Sequence, residues 1–147
     1  MAFYELHLNC FLKQNTPLEI LETLNFMVSK EKQNIPDYIK KNRINLFNNH
    51  SWGIFLTSET EYFPFLGSSS LVYFNHKYLF SVKSSFLAKE ELIFDFFNFI
   101  EPFISDEDIF LGYYRMPNDN PVLLYFENSK IVYDKPEHSV KNGSHRS

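Results

Sequence analysis

The chain has 147 residues, enough for one domain with a core that needs no disulfide staple, and hydrophobic residues (44%) and charged residues (22%) stand in ordinary globular proportion. Its single cysteine excludes an internal disulfide, and no apolar run reaches the roughly 20 residues that span a bilayer. A net charge of −4 weighs against nonspecific nucleic-acid binding, which depends on Lys and Arg neutralising phosphates.

Residues 3–13 alternate, with Leu6, Leu8, Cys10 and Leu12 on one face, which predicts a half-buried strand. Thr16-Pro17-Leu18-Glu19 then reads as a helix start, with Thr16 and Glu19 as a capping box and Pro17 in the first helical position. That helix is expected to run to about Ser29. Residues 30–67 are less regular. A short helix is expected within Tyr38–Phe47, and a strand or packed loop at Trp52–Leu56.

Ser69–Phe74 and Lys77–Phe86 read as a hairpin turning at Asn75-His76. A second helix is expected from Lys89 to Glu101, stopped or kinked by Pro102. It is apolar on more than one side, so two sides should be covered, one of them by a partner. Asp108–Arg115, Pro121–Glu127 and Lys130–Tyr133 complete the strands, and residues 135–147 are expected to form a disordered tail after a single domain, 1–134. A strand followed by a helix thus occurs twice. The expected fold is α+β: a ferredoxin-like antiparallel sheet with helices on one face, an insertion at 30–67 and an extra C-terminal strand.

The 17 Phe and 9 Tyr invite a role in stacking ligands, but Asn, Lys and Ile are also abundant while Ala, Gly and Arg are scarce. AT-rich codons produce that bias unaided, and Phe is a common core residue. His7, His50, His76, His138 and His145 have no zinc spacing to one another or to Cys10, so no metal or other cofactor is expected. His7 should point away from the core, and Cys10 should be a buried small hydrophobe. Ser68-Ser69-Ser70 lacks a nucleophile elbow, and the four glycines form no phosphate loop. Asn118-Asp119-Asn120, between prolines, reads as a turn. The glycine-and-aromatic pattern of RNA-binding sheets is incomplete.

Charge is unevenly spread. Lys89–Asp108 holds Glu90, Glu91, Asp95, Glu101, Asp106, Glu107 and Asp108 against one base, whereas Lys30–Arg43 is basic. Leu111-Gly112-Tyr113-Tyr114-Arg115 joins a strand glycine, which marks a bulge or close backbone approach, to residue types frequent at binding hot spots. The strings Tyr4-x-Leu6-x-Leu8-x-Cys10-x-Leu12-Lys13-x-x-Thr16-Pro17 and Phe110–Arg115 together resemble a group of small, uncharacterised bacterial proteins of similar length. The resemblance implies a small bacterial cytoplasmic protein and carries no activity.

The reading that follows is a noncatalytic protein-binding module, an immunity protein or defence inhibitor of a bacterium or phage. Its expected partner-binding residues are Glu90, Glu91, Asp95, Asp106, Asp108, Tyr113, Tyr114 and Arg115, facing a basic protein surface. The alternatives are a small-molecule sensor or enzyme, using His50, Trp52, Tyr113 and Arg115 in a groove between sheet and insertion, and self-association through an exposed sheet face or the second helix. The start of the chain shows no secretory leader, and neither a membrane nor nucleic acid is expected as a partner.

Overall fold

A computed structural model describes residues 1–32, 34–63, 67–105 and 109–136. The elements are β1 (Ala2–Leu12), α1 (Leu18–Val28), α2 (Asp37–Lys41), β2 (Ser70–Phe74), β3 (Lys77–Ala88), α3 (Glu90–Ile100), β4 (Ile109–Arg115), β5 (Val122–Glu127) and β6 (Lys130–Asp134). Short 3-10 turns lie at Asn45–Asn48, Phe55–Thr57 and Glu101–Phe103. The protein is α+β, with one antiparallel six-stranded sheet in the order β2-β3-β1-β4-β5-β6. The sheet is larger than four strands plus one, because both β5 and β6 continue it beyond β4.

Alternation places every even residue of β1 from Tyr4 to Leu12 in the core, together with Phe80, Val82, Ser84, Phe86 and Ala88 of β3. The β1–β3 register runs unbroken from Ala2–Ala88 to Leu12–Tyr78, so the two strands bury the same face along their whole length. Leu24 and Met27 of α1, and Leu92, Ile93, Phe96, Phe97 and Ile100 of α3, complete the core over that face. Phe96 is its centre, meeting Phe55 edge-on at 5.2 Å and Phe80 at 6.1 Å.

Turns follow backbone chemistry. Asn75 (φ 53°) and His76 (φ 65°) make the two-residue β2–β3 hairpin, and Asn128 and Ser129 repeat it between β5 and β6 (φ 52° and 62°). Paired positive φ values match the right-handed strand twist, which explains a tight hairpin without glycine. Thr16 is not a helix cap: its hydroxyl donates to the Lys13 carbonyl at 2.6 Å, and Pro17 precedes the first helical residue. The other end of α1 is closed from the insertion, where Lys32 Nζ donates to the carbonyls of Phe26 (2.6 Å) and Met27 (2.9 Å). Burial there lowers the Lys32 pKa.

The insertion resolves the apolarity of α3. Of the expected 38–47 helix, residues 38–41 fall in α2 and 45–47 in a 3-10 turn; Phe47 packs on Phe99 at 5.9 Å, and Phe55 on Phe96. Trp52 stacks on Phe26 of α1, and Trp52–Leu56 is turn and 3-10 rather than strand. The second side of α3 is therefore covered by residues of the same chain, not by a partner. The expected tail from 137 onward lies outside the described residues; Lys135 reaches to 4.0 Å from Glu90.

Candidate functional site

The face of the sheet opposite α3 is built from the alternate residues. Glu5 stands directly across from Arg115 and His7 across from Tyr113, in the β1–β4 register. Arg115 Nε donates to Glu5 Oε1 at 2.6 Å, His7 Nε2 lies 2.9 Å from Glu5 Oε2, and the His7 and Tyr113 rings stack at 4.8 Å. Phe63, from the insertion, lies under the Arg115 guanidinium at 5.3 Å, while Tyr62 packs on Phe3 at 4.6 Å. Glu5 is only 8% exposed although it faces away from the core. Burial alone raises its pKa; hydrogen bonds and charge from Arg115 and His7 outweigh that, and the carboxyl sits below its ordinary value. Burial and the Glu5 charge raise the Tyr113 phenol, so it stays a neutral donor.

A one-residue bulge brings Arg115 and Tyr113 here. The β4–β5 register slips between Phe110 and Gly112, so Leu111 and Gly112 both turn inward. Everything after them changes face. Tyr113 and Arg115 reach the open side, and Tyr114 enters the core. Gly112 is required at this crossing. Its φ is +150°, and a Cβ would lie 2.0 Å from the His7 carbonyl oxygen.

Tyr114, expected at a partner interface, is thus buried, with its hydroxyl donating to Glu90 Oε2 at 2.6 Å. Burial, then that carboxylate, pushes its pKa strongly up. Tyr133, beside Phe97 at 6.0 Å, is pushed up to about 12 by burial and by Glu101 and Glu90. Among the described residues of the acidic stretch, three carboxylates are engaged within the fold. Glu90 holds Tyr114, Asp95 accepts from Asn49 at 3.1 Å, and Glu101 accepts from the Ile131 amide at 2.7 Å. Glu91 remains exposed; Asp106 and Asp108 lie outside the described residues.

His50, Trp52, Tyr113 and Arg115 do not converge. Trp52 packs among Phe26 and Phe47 on the helical side, whereas Tyr113 and Arg115 are on the open face. A groove of about 450 Å³ does exist, but between the insertion and α3, with Tyr38, Arg43, Asn45, Asp95, Asn98 and Phe103 in its walls. Cys10 is buried, as its strand parity requires. Among the described residues no group of three or more His, Cys, Asp or Glu is placed to hold a metal ion, and no helix is long and apolar enough to cross a membrane.

Glu5, His7 and Phe63 are the site residues that sequence reasoning missed, His7 having been read only as pointing away from the core. The signal for Glu5 was available: Phe3, Glu5, His7, Asn9 and Phe11 share the non-core parity of β1, so Glu5 and His7 must be neighbours on one face. Comparison with protein-family models, curated proteins and solved structures gives no match.

Proposed function

We propose that this is a noncatalytic protein-binding module, of ferredoxin-like architecture, that occludes a macromolecular partner with the open face of its sheet. The architecture is supported by the strand order β4-β1-β3-β2, with α1 following β1 and α3 linking β3 to β4. The observation that carries the function is the composition of the open face. A rigid Glu5–His7–Tyr113–Arg115 centre is flanked by exposed Val72, Phe74, Phe110 and Val132. Tyr and Arg whose positions are already fixed lose little entropy on binding, and apolar neighbours exclude water from them. Ser81, a hydroxyl on the same face, donates to Asn9 at 2.6 Å rather than to His7, which supports a binding role over a nucleophilic one.

An immunity protein or defence inhibitor acting in the cytoplasm of a bacterium, or encoded by a phage, has this economy: a small domain, a preformed face and no reaction. Glu91 lies on α3, across the sheet from the open face, and adds to the net charge of −4 that steers a basic partner rather than to the contact itself; Glu90 and Asp95 are already engaged within the fold. The test is affinity capture from the native host with the wild type, Tyr113→Ser and Glu91→Lys, each checked for a native thermal transition. Loss of one specific partner in Tyr113→Ser, with weaker capture in Glu91→Lys, is expected. A partner held equally by wild type and Tyr113→Ser would remove the open face from the reading.

The groove beside α3 favours a second reading, a small-molecule sensor, because Arg43 lines it together with Tyr38, Phe99 and Phe103. Metabolite-dependent thermal stabilisation that disappears in Arg43→Ala would promote it.

A further inference from the structure

The two edges of the sheet differ in how they are protected. At β6 the edge carries Lys130 and Asp134 and is followed by Lys135 and Pro136, charges and a proline that discourage strand addition. On the opposite side, the insertion covers the far half of β3. The amides of Gly67 and Ser68 donate to the Lys83 carbonyl, and the Ser85 amide donates to the Ser58 carbonyl at 2.9 Å. The covering stops where β2 begins. β2 itself, Ser70-Leu71-Val72-Tyr73-Phe74, has no charge and no proline, and from Tyr62 to His76 the chain contains no Lys, Arg, Asp or Glu.

We propose that β2 pairs with the β2 strand of a second copy of this chain, antiparallel across a two-fold axis at Val72. The backbone geometry is self-complementary. A two-residue hairpin makes Phe74 and Lys77 a hydrogen-bonded pair, so by alternation Val72 and Ser70 also face β3. The amides and carbonyls of Leu71 and Tyr73 then point outward, unpaired among the described residues. Centring the axis on Val72 sets Leu71 against the second copy's Tyr73 and the reverse, which satisfies all of these groups by reciprocal hydrogen bonds. On the open face Val72 meets its own counterpart, and on the helical face Leu71 covers a half-exposed tyrosine (Val72 is 50% exposed, Tyr73 54%).

Charge permits this occupant. Each copy carries −4, so two copies repel wherever their acids approach, and the uncharged run 62–76 lets an edge of each come together without that cost. The strand covers on the order of 300 Å² per copy, below the ~800 Å² per partner of a stable interface, so the dimer is reversible. β2 pairs through its backbone edge, so the dimer does not require the open-face binding role, although Val72 borders both surfaces.

Sedimentation velocity of the full chain from about 20 µM to about 1 mM tests it, a range chosen for a weak, reversible contact smaller than a stable interface. The expected result is a monomer–dimer equilibrium abolished by Tyr73→Pro, which removes an outward donor, and weakened at least about tenfold by Val72→Lys, which places like charges face to face. Val132→Lys, on the charged edge, should leave it unchanged. Hydrogen exchange at the Leu71 and Tyr73 amides should slow with concentration in the wild type. A wild type that stays monomeric throughout overturns the proposal. So does a dimer that survives both edge variants, which would assign association to another surface. Capture of a different protein's strand at β2, with no self-association, overturns it as well.

Discussion

Along β1, Leu6, Leu8 and Leu12 are wholly removed from water, while Glu5, His7 and Asn9, interleaved with them, form the centre of the opposite face. The inner face is held by nondirectional packing, with rings from α3 and the insertion closing on it. The outer face is held by geometry: a carboxylate fixed between an arginine and a histidine, and a tyrosine stacked on the histidine. The first face can be written by composition and parity. The second depends on residues meeting at one register, and on a bulge that decides which residues of β4 belong to it.

The largest way to break the division is therefore at Gly112. Any side chain there meets the His7 carbonyl, and the backbone conformation favours glycine. Gly112→Ala is expected to cost about 3 kcal/mol or more, from steric overlap and positive-φ strain together. If β4 relieves the clash by dropping the bulge, Tyr113 and Tyr114 exchange faces. Urea unfolding, with tyrosine fluorescence as a second probe, reads both outcomes; a variant as stable as the wild type would contradict the close approach.

How much of this was legible follows from the same contrast. Strand parity at Leu6–Leu12, the hairpin at Asn75-His76 and a bulge at Gly112 are local features, and local sequence carries them. The helix at Leu18–Val28 was legible as well, but its cap was not: Thr16 had a competing acceptor in Lys13 O, three residues back. The apolarity of α3 was read correctly as two covered sides, and the second cover was misplaced onto a partner. The 3-10 turns that carry Phe47 and Phe55 have no hydrophobic period by which to recognise them. Tyr114 shares a string with Tyr113 and Arg115, and only the inserted residue at the bulge sends it inward. The Glu5–Arg115 pair spans 110 residues and appears only once β1 and β4 are in register.

The second prediction acts on the outer face. Arg115→Met leaves the Glu5 carboxylate buried against His7 alone. Breaking a fully buried pair costs ~3–5 kcal/mol; the Arg115 side chain is 37% exposed, so a loss of about 2 kcal/mol is expected. The pH dependence gives a cleaner signature. The folded Glu5 pKa lies below its unfolded value, so its contribution is present above the ordinary carboxylate pKa of about 4.3 and is lost as pH falls through the folded value. In Arg115→Met burial acts with less opposition, the folded pKa rises, and this part of the acid limb shrinks. Urea midpoints of both proteins across the acid range should converge as pH falls. A constant gap at every pH would mean that Arg115 stabilises by packing on Phe63 rather than through Glu5.

The smallest effect sharpens the comparison from the inner side. Ser84 stands opposite Leu6 in the core, completely buried, and among the described residues its hydroxyl is the one buried side-chain polar atom without a hydrogen-bond partner. On a face stabilised by packing, an unpaired hydroxyl loses its water and gains nothing in return. Ser84→Ala keeps nearly the same volume and is expected to raise stability by about 1 kcal/mol, or roughly 3 °C in Tm for a domain of this size. The equivalent change on the outer face should have the opposite sign. Ser85 Oγ is paired with Thr60 Oγ1, so Ser85→Ala leaves that threonine without its partner and lowers the Tm. Adjacent serines on one strand then report the two faces separately: removing a hydroxyl helps where the face is built by packing and harms where it is built by paired polar groups.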